Sequence, residues 1–157
     1  HKDDRYVQIA DRVCENGWFG QKTSKGYYLY GDNIKPLTPN PEIDVICNSE
    51  RQRLGIKLKT FSDQEILDRY LAAMVYEGVK ILQEKIAVRP SDIDVVYTNG
   101  YGFPRWRGGP MKYADMVGLD KILLNIQKFS EEDPRFWSPP ELLIDLVKNN
   151  KNFDSLN

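Results

Sequence analysis

Histidine is nearly missing from this sequence, the single one being His1. General acid–base work near neutral pH runs most often through imidazole. Its absence from the interior excludes a Ser-His-Asp set and leaves no histidine-based metal cluster. Cysteine is almost as scarce: Cys14 and Cys47 are too few and too far apart for a disulfide framework or a metal site. That usage suits a reducing, intracellular setting, and each cysteine is expected to be a small core residue rather than a reactive thiol. No apolar run approaches the roughly 18 to 20 residues that a membrane span needs. The opening His-Lys-Asp-Asp is not a basic-then-apolar export signal. Charge of one sign is lacking too, with 22 basic against 23 acidic residues and a net charge of -1. Nothing therefore draws the chain toward nucleic acid or an anionic membrane. Neither G-x-G-x-x-G nor G-x-x-x-x-G-K-[ST] occurs, so a phosphate cradle has no fingerprint here.

What is present, in 157 residues that are 41% hydrophobic and 29% charged, fits one ordinary globular domain or one small domain with an appendage. The stretch most demanding of backbone geometry is Asn99 to Asp120, NGYGFPRWRGGPMKYADMVGLD. Gly100, Gly102, Gly108 and Gly109 permit positive φ or close backbone approach, while Pro104 and Pro110 fix φ. Pro110 sits where a helix would begin and Gly118 where it would stop, with Met111, Ala114 and Val117 on one face between them. A rigid helix-to-helix corner is the reading these residues support.

The remaining chain reads as mostly helical. Residues 3–16 place Tyr6, Ile9, Ala10 and Val13 at helical spacing, without a visible N-cap, in a helix ending before Gly17. The uncapped start suggests a boundary within a longer protein. In the aromatic run from Gly17 to Gly31, Tyr28 and Tyr30 alternate with Leu29 like a short extended segment. Pro36, Pro39 and Pro41 mark a connector, after which Asn40 caps a helix with Pro41 first and Ile43, Ile46 and Leu54 facing inward. Ser62-x-x-Glu65 is a capping box opening the longest helix, with Leu67, Tyr70, Leu71, Met74, Val75, Gly78, Ile81 and Leu82 as its apolar stripe. Ser91 is expected to cap a short helix carrying Ile93, Val96 and Tyr97. Asp120 is expected to cap one carrying Ile122, Leu123, Ile126 and Phe129, which Asp133-Pro134 ends. Ser138 to Glu141 reads as a second capping box, followed by Leu142, Leu143, Leu146 and Val147.

Glu77 falls inside the stripe of the long helix, and an acid pointing at a core must find donors. It is expected to be buried and to tie down the glycine-rich loop around Tyr101 to Phe103. A catalytic role for it lacks the usual histidine helper. Asp92 with Asp94, and Glu131 with Glu132, are read as solvated helix-start charges. Arg105, Trp106 and Arg107 offer either a cation-and-aromatic surface for an anion or an anchor for the loop through stacking and ion pairs.

With these residues in view, the run from Asp68 to Leu123 resembles the helical C-terminal domain of 3-hydroxyacyl-CoA dehydrogenase. It is most similar to the second copy of that domain in the multifunctional enzymes of fatty-acid β-oxidation. The markers are Glu77, Asp92-Ile93-Asp94, Gly100-Tyr101-Gly102-Phe103-Pro104, Gly108-Gly109-Pro110 and Ala114-Asp115. Gly20 to Tyr28, GQKTSKGYY, is similar to the motif that closes the first copy. The resemblance implies an all-α fold of the 6-phosphogluconate dehydrogenase C-terminal-like type. It implies residues 1–31 as the tail of a first helical repeat, 32–61 as linker, 62–150 as the second repeat and 151–157 as a tail.

The family's dinucleotide-binding domain, with its glycine-rich loop and catalytic histidine and glutamate, would precede His1. This chain is accordingly expected to hold no catalytic residue, cofactor site or metal site, NAD belonging to the parent enzyme. The family's first copy opens its long helix with an Asn-Arg pair whose Asn contacts substrate, and Asp68-Arg69 stands there. An ionised acid cannot donate as an amide does, so this copy is expected to serve as a packing partner to the upstream dehydrogenase and first repeat, not as a substrate binder. Acyl-CoA would be the parent's substrate. A purely structural interaction module and an acyl-CoA-binding module using Arg105 and Arg107 are the alternatives. Residues 1–31, with Tyr6, Ile9, Val13, Trp18 and Phe19, are expected to pack against residues 62–150 or to mediate self-association. The implied location is intracellular: peroxisomal for a eukaryotic multifunctional enzyme, otherwise mitochondrial or bacterial-cytoplasmic. Ser155-Leu156-Asn157 is not the Ser-Lys-Leu peroxisomal address.

Overall fold

The structure, a computed structural model, describes residues 7 to 157, so residues 3–6 of the expected opening helix, Tyr6 among them, lie outside the described residues. The described chain forms two compact units that divide between Thr60 and Phe61. In the first, a short helix α1 (Ile9–Glu15) packs with α2 (Glu42–Leu54). The strands β1 (Tyr28–Leu29) and β2 (Thr38–Pro39) pair antiparallel, Tyr28 opposite Pro39. Helix α1 starts without a side-chain cap, and its chain turns away at Gly17 with φ +73°.

Buried Asn40 joins this unit together. Its Nδ2 donates to the Gly26 carbonyl at 2.8 Å, and its Oδ1 accepts from the Glu42 N–H at 3.1 Å, at the start of α2. Pro41 precedes the helix instead of opening it. Ile43 and Ile46 are half-buried, whereas Leu54 is exposed. Buried Glu50 is held by Arg12 at 3.2 Å and Arg53 at 2.7 Å, and these hydrogen bonds lower its pKa despite burial. Neither cysteine is a core residue: Cys14 is exposed and Cys47 half-buried, because the buried side chain of α1 is Val13, one residue before Cys14.

The second unit is built on α3 (Asp63–Gln83), with α4 (Pro90–Gly100), α5 (Pro110–Val117), α6 (Leu119–Glu132) and α7 (Glu141–Lys148) around it. Ser62 caps α3 as its sequence requires, its hydroxyl accepting from the Glu65 N–H at 3.2 Å. The face that α3 buries is turned from the expected stripe. Ala72, Val75, Tyr76 and Val79 point into the core with Leu71 and Gly78, while Leu67 and Tyr70 are exposed. Met111, Ala114, Ile122, Ile126, Phe129, Leu143 and Phe153 complete the core. Each large apolar side chain among them contributes about 1.5–3 kcal/mol on burial. Trp137 adds an aromatic cluster with Tyr76, Phe129 and Phe136 at centroid distances of 4.9–5.8 Å.

Three helix starts in this unit differ from expectation. Helix α4 is opened by Arg89 and Asp92 rather than by Ser91: the Asp92 carboxylate accepts from the Arg89 backbone N–H at 3.2 Å and from its guanidinium at 2.7 Å. Helix α6 starts directly after Gly118, so Asp120 lies inside its first turn. Helix α7 follows Pro140, and no capping box forms there; the Leu142 N–H donates to Gln83 Oε1 at 3.4 Å. Residues 151–157, expected as a tail, bring Phe153 into the core at 1% exposure. No helix among the described residues is long and apolar enough to cross a membrane.

Candidate functional site

The glycine-rich corner is held by an acid, and that acid is Asp94. Its carboxylate accepts from the backbone N–H of Met111 at 2.7 Å and of Lys112 at 3.0 Å, filling donors in the first turn of α5. Asp94 is only 9% exposed. Burial raises its pKa above the ordinary value of 3.8 and outweighs the two N–H bonds that lower it. Gly109 makes the contact possible. With φ +114°, a Cβ there would lie 2.3–2.5 Å from the Asp94 side chain, so nothing larger than glycine fits beside the carboxylate. Gly78 plays the same part across the core, where a Cβ would meet Met111 Sδ at 2.6 Å.

Glu77, expected to be this buried acid, is not. Its side chain is 47% exposed and pairs with Lys80 at 3.7 Å on the outside of α3. The helix is rotated so that Tyr76 and Gly78 face inward and Glu77 does not. Asp94, read with Asp92 as solvated charge, is the residue that ties the loop. Asp92 does remain at the surface, bonded to Arg89.

Asp115 repeats the device at the end of the chain. Its two oxygens accept from the Phe153 and Asp154 N–H groups at 2.8 and 2.9 Å, fixing the turn Phe153–Leu156 against α5. Burial again raises its pKa. Lys112 and Asp154 form an ion pair beside it.

Of the remaining expected positions, Gly102 and Gly108 have φ +69° and +78°. Gly100 has neither a positive φ nor a close neighbour and simply ends α4. Phe103 and Pro110 are buried, while Pro104 is exposed and begins the turn Arg105–Arg107.

The outer side of the same corner is an apolar cleft of about 310 Å³. Helix α3 supplies Leu67, Tyr70, Leu71 and Met74, helix α4 supplies Tyr97, and the loop supplies Tyr101, Phe103, Pro104, Trp106 and Arg107. The Tyr97 ring lies 5.5 Å from the Tyr101 ring and 6.4 Å from Phe103. Burial raises the Tyr97 pKa. The Arg107 guanidinium stacks over Trp106 at 4.4 Å and Tyr113 at 5.0 Å, and Arg105 donates to Asn99 at 3.3 Å. Stacking is thus present, but neither arginine has a carboxylate partner among the described residues. Trp106, 76% exposed, is not an anchor in the core. The cleft was not foreseen; its signal lay in the apolar residues left over on α3.

A dinucleotide phosphate does not fit at the start of α5. The α5 start after Gly108-Gly109 is the one glycine-rich helix opening in the second unit, and the Asp94 carboxylate already occupies its donors. A phosphate there would meet both filled N–H groups and a like charge. No group of acids, histidines and cysteines among the described residues is placed to hold a metal ion.

Residues 66–154 match the family described as "3-hydroxyacyl-CoA dehydrogenase, C-terminal domain". The chain is 48% identical over 149 residues to a peroxisomal bifunctional enzyme of Danio rerio, covering 91% of this chain and 20% of that protein. It is 45% identical over 134 residues to the Homo sapiens protein of the same name, covering 83% and 18%. It is 34% identical over 144 residues to a peroxisomal fatty acid beta-oxidation multifunctional protein of Oryza sativa subsp. japonica, covering 89% and 20%. The chain spans about a fifth of the length of these relatives. With its all-α second unit and a match over more than half its length, the chain belongs to the family of 3-hydroxyacyl-CoA dehydrogenase C-terminal domains.

Proposed function

We propose that this chain is the C-terminal helical part of an NAD-dependent (S)-3-hydroxyacyl-CoA dehydrogenase within a multifunctional enzyme of fatty-acid β-oxidation. It packs against the catalytic part and completes it, carrying no reacting group itself. The observation that carries this reading is the family match over residues 66–154 in a chain one fifth as long as its multifunctional relatives. The corner supports it, because the carboxylates of Asp94 and Asp115 are spent on backbone donors. An acid so engaged is a poor proton acceptor for a substrate. Residues 1–31 are read as the tail of a first helical repeat and 32–61 as the linker. Exposed Phe19 and Tyr27 would complete a core contributed by preceding residues. The relatives' names favour a peroxisomal setting.

Two assays test the reading. Calorimetric titration of NAD and NADH into the 157-residue chain should give no saturable signal, and the chain should not oxidise 3-hydroxyacyl-CoA. A chimera of the Danio rerio relative, its matched segment replaced by this chain, should retain dehydrogenase activity. Micromolar NAD binding by the chain alone, or a folded but inactive chimera, would overturn the proposal.

A further inference from the structure

Resting on the reading that this domain packs against the rest of a longer polypeptide, we propose that the aromatic cleft is the face that docks it. Its occupant is an amphipathic segment bearing an acidic side chain, from the part of the polypeptide outside residues 1–157. The cleft has an apolar floor and an exposed rim, Tyr70 at 61% and Tyr101 and Trp106 at 76% exposure. Leaving such side chains in water forgoes the burial free energy that most aromatic residues recover. Trp, Tyr and Arg are the residues that anchor protein interfaces when buried at their centres.

The polar groups agree with the apolar ones. Among the described residues the hydroxyls of Tyr70, Tyr97 and Tyr101 have no hydrogen-bond partner, and Arg105 and Arg107 have no carboxylate. These groups stand ready for acceptors from outside, and two cations without a counter-charge select an acidic partner. The source of that partner follows from length, since about four fifths of the relatives' sequences lie outside the region matched here. A small ligand is the poorer occupant. Ligand pockets enclose most of their ligand's surface, whereas three of the aromatic walls here are more exposed than buried.

The test uses the chimera together with the 157-residue chain. Trp106→Ala and Arg107→Glu are introduced into each, and cleavage by a protease near residues 55–60 is timed in the chimera. Trp106→Ala should leave the melting of the isolated chain unchanged, because its side chain is 76% exposed; Arg107 is half-buried and stacks on Tyr113, so the melting of the isolated Arg107→Glu chain is the control for its effect in the chimera. Each variant should speed cleavage of the chimera about tenfold or more, as truncation of an interface anchor does. If the unsubstituted chimera is cleaved as fast as the isolated chain, the packing reading itself fails. If the chimera is protected and both variants remain protected, packing stands and this face is not its site. Isolated chain that forms dimers lost in Trp106→Ala would make a second copy the occupant, and saturable binding of a long-chain acyl-CoA thioester lost in the same variant would make it a ligand site. Either result overturns the proposal.

Discussion

The inner and outer sides of one loop are built on opposite terms. On the inner side, Asp94 fills the donors of Met111 and Lys112, and Gly109 gives up its side chain to let the carboxylate in. On the outer side, a few residues away, three tyrosine hydroxyls have no hydrogen-bond partner and two guanidinium groups no carboxylate among the described residues. Buried polar groups are costly unless paired, and exposed ones are not. The contrast therefore separates what the loop does for its own fold from what it offers to something else.

The largest break in that contrast should come from Gly109→Ala. A Cβ 2.3 Å from the carboxylate, at φ +114°, must expel Asp94 or distort α5, at about 3 kcal/mol or more. Thermal melting measures it; an unchanged midpoint would mean the corner is looser than its geometry. Asp94→Ala should cost about 1–3 kcal/mol by leaving buried N–H groups unpaired. Asp115→Ala should cost less, about 1–2 kcal/mol, because the Asp154 N–H it frees is exposed to water. Loosening of the Phe153 turn, seen as faster amide exchange at residues 153–156, would mark that loss.

The pH dependence is a further handle on Asp94. Its folded pKa lies above the ordinary 3.8 because of burial. Protonated Asp94 therefore favours the folded state, a contribution fully present below about 3.8 and lost as pH rises through the folded pKa. Asp94→Asn should remove that decline from a denaturant titration across acidic pH, and a slope unchanged in the variant would count against the assignment. The smallest effect belongs to Glu77→Ala, within about 0.5 kcal/mol of zero, since its only partner among the described residues is Lys80 in an exposed pair at 3.7 Å.

Glu77 also shows where sequence reasoning stops. Periodicity found the long helix, its Ser62 cap, and the stretch from Pro110 to Gly118. It merged two faces of α3 into one stripe, because Leu67, Tyr70 and Met74 on the cleft are as apolar as Val75 and Val79 in the core. A stripe so widened carried Glu77 inside on paper. Asp94 was missed for a different reason, since its partners lie 17 and 18 residues onward, beyond any local pattern. A signal did exist in Gly108-Gly109-Pro110, which asks for something close to the backbone without naming it. Trp137 and Phe153, both core residues, follow breaks in the helical pattern and left no periodic trace.

Hydrogen exchange, compared between the isolated chain and the chimera, tests the two-sided account most directly. The amide of Trp106, on the outer side, should become markedly more protected in the chimera, while Met111 and Lys112, already bonded to Asp94, should be protected equally in both. Equal exchange at Trp106 in the two proteins would contradict it.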